Sequence, residues 1–207
     1  FLKLGKKFLL DMSIDSTSGS RYVNKIAITT SSKKVLNHVR KIKRKKKYRK
    51  VFIVKRSEEK SQKFANYKKI ILEVCEKYQA QYKKKIDLVL YLSIHAPFRK
   101  SEDIDKAVNI IMVNKCDTVF SVNVEYDPVF KFSKKGIHLL NPGRFDELNF
   151  ERETLLKFNG SIILTKYSKI KKANIFKGDL GYMEMTPKNS YQIKSINDYR
   201  RIRNIFK

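Results

Sequence analysis

Cysteine is scarce in this chain of 207 residues, with only Cys75 and Cys116 present. They form no Cys-x-x-Cys pair, which argues against a zinc site, and two isolated thiols build no disulfide scaffold. Free thiols fit a reducing compartment, so a cytoplasmic protein is expected. No apolar run reaches the ~20 residues that a helix needs to cross a bilayer, so no membrane partner is expected. The first ten residues carry Lys3, Lys6 and Lys7 and no small-residue cleavage site, unlike a signal peptide. The chain opens on Phe1 rather than Met, and the expectation is an N-terminally truncated fragment or a trimmed product. Acidic residues are also few: 20 Asp and Glu face 47 Lys and Arg, a formal net charge of +27. Such a balance is the electrostatic footprint of a polyanion binder. Yet 36 of the 47 cations are lysines scattered along the chain, as an AT-rich genome would produce, and no nucleic-acid-binding motif accompanies them. Nucleic acid is therefore not the expected partner. The densest run, Lys41 to Lys50, reads either as a polyanion contact or as a solvated helix end and loop between two strands.

Hydrophobic residues make up 42% of the chain, too many for a disordered one. The length suits one α/β domain with a real core. Six segments read as strands: Lys25 to Thr30, Lys50 to Val54, Ile86 to Ser93, Asp117 to Val124, Ser161 to Thr165 and Gly181 to Met185. Ile86 to Ser93 is nearly continuous in apolar residues, the pattern of a strand buried on both faces. Helical spacing runs through Phe8 to Ser18, Ser32 to about Lys43, Glu58 to Tyr82, Ser101 to Asn114 and Ser195 to Phe206. Ser31 or Ser32 is placed to cap the second of these, and Ser101 to open the fourth with a capping box. This alternation predicts a mostly parallel sheet flanked by helices. From about 125 to 153 the rhythm breaks around Asp127-Pro128, Gly136 and Pro142-Gly143, which predicts an inserted hairpin arm. No internal repeat is present.

The order of several short motifs is informative. Leu90 to Arg99 reads LYLSIHAPFR, a buried strand handing over through Pro97 and Arg99 to a helix that begins near Asp103-Ile104. Thr118-Val-Phe-Ser-Val122 follows as the next strand. Downstream come Glu151-Arg152-Glu153 and Asn159-Gly160-Ser161-Ile162-Ile163. Near the start stand Leu4-Gly5-Lys6 and Tyr22-Val-Asn-Lys-Ile-Ala-Ile-Thr-Thr30. This ordered series resembles the acylneuraminate cytidylyltransferases, the CMP-sialic acid synthetase family, over nearly the whole length.

The resemblance implies a Rossmann-like nucleotidyltransferase fold as a single domain over 1–207, with the arm of about 125–153 docking on a second subunit of a homodimer. It implies transfer of CMP from CTP to an acidic nonulosonic (sialic-acid-like) sugar, with pyrophosphate released, in glycan synthesis. Arg152 would hold the sugar carboxylate, Asn159 and Gly160 would line the sugar site, and Ser93, His95 and Arg99 would border the cleft. The family's Mg²⁺ is expected as cofactor, but its acidic cluster is replaced here by Gln192-Ile193-Lys194, and Asp198 is the remaining candidate ligand. The family's N-terminal triphosphate-cradling strand and loop would precede Lys3. Each residue keeps a plainer reading: His95 as a turn residue, Arg152 in surface ion pairs, Asn159-Gly160 as a turn, Asp198 as a helix cap. A catalytically impaired relative, or a basic nucleic-acid-binding module, stands beside the enzyme reading.

Overall fold

The computed structural model describes residues 2–56, 67–141, 153–172 and 175–205. Lys3–Leu4 (β1) and Lys7–Phe8 (β2) make a small antiparallel hairpin that leads into Leu9–Gly19 (α1). Then come Ile26–Thr30 (β3), Lys33–Lys43 (α2), Val51–Lys55 (β4), Tyr67–Tyr82 (α3), Leu88–Leu92 (β5), Ser101–Val113 (α4) and Thr118–Glu125 (β6). Phe130–Ser133 (β7) and Gly136–Leu139 (β8) form the expected hairpin, and the chain returns through Leu155–Lys166 (β9). Tyr167–Lys172 (α5), Leu180–Glu184 (β10), Pro187–Ser190 (α6) and Ile196–Ile205 (α7) complete it. Each of the six expected strands has its counterpart. Residues 58–66 of the third expected helix lie outside the described residues.

The sheet is mixed rather than mostly parallel. Its four-stranded part runs β10-β6-β9-β5; β10 pairs parallel with β6, while β9 is antiparallel to both β6 and β5. The cause is the arm. β6 runs outward into it, and β9 comes back beside β6 from Leu155 opposite Glu125 to Thr165 opposite Thr118. Only the inner half of β9 looks strand-like in sequence, because only that half is buried. A separate parallel pair, β3 with β4, stands beside this sheet.

Helices cover both faces. Ile104, Ala107, Val108 and Ile111 recur at helical spacing along α4 and pack on Val119, Ile162, Leu164 and Met183 of the sheet. Each such aliphatic burial contributes on the order of 2 kcal/mol. Leu10 and Ile14 of α1 and Val39 of α2 cover Ile26 and Val51. Ser32 does cap α2, its hydroxyl accepting from Val35 N at 3.4 Å. The cap of α4 differs from the expected one: Asp103, not a partner of Ser101, accepts from Lys100 N at 2.8 Å.

Part of the basic run is structural. Residues 41–50 cover the end of α2, a short 3₁₀ turn and the approach to β4. Lys47 pairs with Asp15 at 2.6 Å, and Lys50 Nζ donates to the Ser20 carbonyl at 3.3 Å. Burial acts to raise the Asp15 carboxyl, but hydrogen bonds from Lys47, Lys7 and Tyr48 outweigh it and hold the group below its ordinary range. Tyr48 is pushed up to about 12 by burial and by that carboxylate. Cys75 and Cys116 are both buried free thiols. Among the described residues no helix is long and apolar enough to cross a membrane.

Asp117, at the entry to β6, supports a testable acid response. Its carboxylate accepts from Lys169 Nζ at 2.7 Å and Lys166 Nζ at 3.2 Å. Lys169 is the chief cause of a carboxyl pKa lowered from 3.8 to about 2. A depressed folded-state value means stability that is full above 3.8 and drains away as pH falls through about 2. Melting curves of the parent chain and Asp117→Asn are expected to differ by a constant amount above roughly pH 4.5 and to converge towards roughly pH 2. A gap that persists unchanged at the acid end would remove this pair from the stability of the fold.

Candidate functional site

The turn after β5 is built by its own short side chains. Ser93 Oγ accepts from His95 N at 3.2 Å, and Ala96 N donates to the Ser93 carbonyl at 3.4 Å. Ala96 is buried, so the turn is anchored while Ile94 and His95 stay exposed. Ser93 N donates across to the Ser161 carbonyl at 3.4 Å, and Ile193 N donates to the His95 carbonyl at 2.9 Å. Three stretches far apart in sequence therefore meet here.

The second stretch is a bulge in β9. Phe120 pairs with Ile163, yet Val122 pairs with Phe158, so Ser121 alone opposes Asn159 to Ile162. Bulges of this kind re-aim side chains and are frequent beside active sites. Gly160 takes φ +72°, a left-handed conformation that other residues adopt only with strain. A Cβ there would also stand 3.1 Å from Gln192 Nε2. The Asn159 side chain is locked: its Oδ1 accepts from Ser121 Oγ at 2.5 Å and from Ser161 N at 3.0 Å. Ser121 Oγ in turn accepts from Ile162 N at 2.9 Å. The Asn-Gly pair is thus a mid-strand bulge, not a chain-reversing turn.

Arg99 ties the stretches together. Its Nη1 donates to the Ser93 and Ser161 carbonyls, both at 3.0 Å, and its Nη2 to Ser13 Oγ at 2.7 Å. The residue is 3% exposed. Burial pulls its pKa down to about 10, which leaves it charged at neutral pH. Arg99 lies beneath the site and positions it, its two terminal nitrogens engaged by main-chain carbonyls and the Ser13 hydroxyl.

Four buried polar atoms in this patch find no hydrogen-bond partner among the described residues: Arg99 Nε, Asn159 Nδ2, Gln192 Nε2 and Ser161 Oγ. Three are N–H donors and the fourth is a hydroxyl. A buried polar group left unmade costs about 1–3 kcal/mol, so the cluster calls for a partner rich in acceptor oxygens. Such chemistry belongs to phosphates, carboxylates, sugar oxygens and pyrimidine carbonyls.

Of the expected site residues, Ser93, His95, Arg99, Asn159 and Gly160 come together. Arg152 lies outside the described residues. Ser13, Ser121 and Ser161 carry parts of the site that sequence reasoning gave no role. Their one signal is a small hydroxyl residue within an apolar stretch, which marks a buried polar position without saying what it does.

Asp198, the candidate Mg²⁺ ligand, is already engaged among the described residues. Asp198 Oδ2 accepts from Ser195 N at 2.8 Å, Ser195 Oγ at 2.9 Å and Lys194 N at 3.0 Å, while Asp198 N donates back to Ser195 Oγ at 3.1 Å. This is a reciprocal capping box at the start of α7, and it holds the carboxyl below its ordinary range, the Ser195 hydrogen bond foremost. Among the described residues no group of three or more His, Cys, Asp or Glu could hold a metal ion.

Comparison with known proteins gives no matching family model and no matching curated protein. Solved structures do match. A 4-diphosphocytidyl-2C-methyl-D-erythritol synthase from Anaerococcus prevotii superposes with TM-score 0.69 at 12% identity, over 99% of this chain and 91% of that one. A CMP:2-keto-3-deoxy-manno-octonic acid synthetase, solved with CTP, gives 0.65 at 10% identity, over 99% and 89%. A cytidylyltransferase from Leptospira borgpetersenii gives 0.55 at 13%, over 98% and 76%. The likeness reaches cytidylyltransferases with different acceptors, which is broader than the acylneuraminate branch read from the motifs. At these identities what is shared is architecture, and the chain has the cytidylyltransferase fold.

Proposed function

We propose that the cleft between the β5 turn, the β9 bulge and Gln192 binds CTP and an acidic sugar of the nonulosonic class, and that the reaction is nucleotidyl transfer. A sugar hydroxyl oxygen attacks the α-phosphorus, the bond to the β-phosphate breaks, pyrophosphate leaves and the hydroxyl proton is lost. The observation that carries this reading is the cluster of unpartnered donors on Asn159, Gln192 and Arg99. They present N–H groups to oxygens from a framework that Arg99 and Ser121 hold rigid, and positioning is the main protein contribution to such transfers. Arg152 is the proposed clamp for the sugar carboxylate. The net charge of +27 favours an anionic nucleotide over a neutral one.

A second reading, of a relative that binds but does not catalyse, is favoured by Lys194 and by the engagement of Asp198 in a helix cap. One experiment separates the two. Pyrophosphate release is followed from CTP, Mg²⁺ and a panel of nonulosonic acids, for the parent chain and for the double substitution Gln192→Asp with Lys194→Asp. Release by the parent with one sugar is the expected result. Release only by the double variant would identify a decayed enzyme, and retention of CTP binding without release by either would identify a binding protein.

The hairpin arm supports the proposed homodimer. Phe130 and Phe132 pair across it with Leu139 and Ile137, and all four are exposed, Phe132 to 83%. Residues two apart share one face of a strand, so these form a continuous apolar stripe of the kind that marks a contact surface.

A further inference from the structure

Scattered lysines argue against a polyanion surface only if the acids are scattered too, and they are not. From Ser16 to Ser57 there are 15 Lys and Arg and no Asp or Glu; all 20 acidic residues lie elsewhere. A biased genome adds lysine everywhere, but it does not clear one long stretch of every carboxylate. Ile26 to Lys55 of that stretch folds as a unit of β3, α2, the 3₁₀ turn and β4. Two carboxylates of α1 reach α2 and its turn, and both are already engaged. Asp11 is held by His38, and Asp15 by Lys7, Lys47 and the Tyr48 hydroxyl.

α2 sets the remaining cations in order. Val35, Val39 and Ile42 pack inward with Ile26 and Val51. On the opposite side Lys33, Arg40 and Arg44 stand exposed along one line, with Lys34 and Lys41 beside them. None of these five makes an ion pair among the described residues. The helix dipole rewards cations in the last turn alone. Lys33 and Lys34 occupy the first turn, without an acid, where the dipole opposes them. Arg40 and Arg44 are like charges four residues apart, which also weakens a helix. The packed side of α2 holds the stripe against its own repulsion, so it is preorganised for an anion.

The surroundings select among anions. No large hydrophobic side chain is exposed among the described residues from 23 to 56. A helix lying in a membrane interface needs such side chains, and a single-strand binder needs aromatic platforms for its bases. Lysine is depleted in protein–protein interfaces. A partner recognised through backbone phosphates alone remains. From Lys33 to Arg44 the stripe is about 16 Å long, and a duplex presents about ten phosphate charges over that length. We infer that the outer face of α2 docks on the phosphate backbone of double-stranded nucleic acid without reading its sequence. None of these side chains belongs to the proposed nucleotide cleft.

The test follows fluorescence anisotropy of labelled DNA and RNA duplexes of about 20 base pairs, with salt varied from about 50 to 200 mM. Three full chains are compared. One is the parent. One carries Lys33→Gln, Arg40→Gln, Lys41→Gln and Arg44→Gln. The third carries the same charge change on exposed lysines outside the unit, as Lys106→Gln, Lys131→Gln, Lys134→Gln and Lys188→Gln. The expected result is a slope of log affinity against log salt that is shallower by about 3 to 4 for the α2 variant alone, with binding about 100-fold weaker at about 0.1 M salt. Arg40→Gln by itself, with an expected change of about one in slope, serves if the fourfold variant melts early. Binding of either duplex supports the inference, and a preference between them tells DNA from RNA. Equal losses in the two fourfold variants would overturn it, as would a parent that binds neither duplex. Tighter capture of the parent by phosphatidylserine vesicles would overturn it in favour of a membrane surface, and single strands bound as tightly as duplexes would overturn the duplex.

Discussion

Arg99→Ala is expected to lower stability by about 3–5 kcal/mol, which for a chain of this size lowers the melting temperature by roughly 10 °C. Two effects oppose each other here. Burying a guanidinium is costly, and its removal relieves that cost. Against this, Arg99 donates to the Ser93 carbonyl and to the buried Ser161 carbonyl, and its loss leaves both short of a charge-assisted partner beside a cavity. The second effect wins for alanine. Arg99→Met keeps the volume of the stem and so is expected to lose about half as much. Thermal melts of the two variants check the order. If methionine proves as damaging as alanine, the hydrogen bonds outweigh the packing; if neither destabilises, Arg99 does not hold the three stretches together. The same variants are expected to weaken CTP binding, since the β5 turn and the β9 bulge would no longer be fixed to one another.

Gly160 gives the second large effect, and it divides into two parts. The first is strain: at φ +72° a β-branched residue is disfavoured by at least about 1–2 kcal/mol. The second is displacement, because any Cβ stands 3.1 Å from Gln192 Nε2, the flexible end of a side chain that can move aside at small cost. Moving it takes away a donor of the proposed site. Gly160→Val is therefore expected to lose both stability and about 10-fold in CTP affinity, roughly what one lost donor would remove. Asparagine tolerates the left-handed region, so Gly160→Asn isolates the displacement. It is expected to melt within about 1 kcal/mol of the parent while binding CTP as poorly as Gly160→Val. Parent-like binding by Gly160→Asn would show that the Gln192 amide takes no part in recognition.

Much of the architecture was legible because periodicity and burial coincide in it. Ile104, Ala107, Val108 and Ile111 announce α4, and the β-branched run from Thr118 announces β6, since each faces one continuous core. The direction of β9 was not legible. Nothing local distinguishes a strand that enters a sheet from one side or the other; the arm between Glu125 and Leu155 decides it. The Asn159-Gly160 pair reads as a ligand site by resemblance, or as a turn because of the conformational freedom of glycine. What neither reading contained was Ser121, whose hydroxyl meets the bulge from the neighbouring strand and fixes the Asn159 amide. Contacts between strands are set by register, and register is not written in either strand alone. The capping role of Asp198 was legible in part, because Ser195 stands three residues before it.

The long β6–β9 ribbon has a mechanical consequence. Its inner end lies in the core at Thr118 and Thr165, whose hydroxyls are 2.9 Å apart, and its outer end carries the arm at Glu125 and Leu155. The bulge at Ser121 lies between them, at the one break in the ladder. A beam clamped at its root and notched along its length bends at the notch. A load on the arm, such as a second subunit leaning on Phe130 and Phe132, would be felt first as a change in the angle at which Asn159 presents its amide. Engagement at the far end of the ribbon and grip on the ligand would then be two readings of one lever.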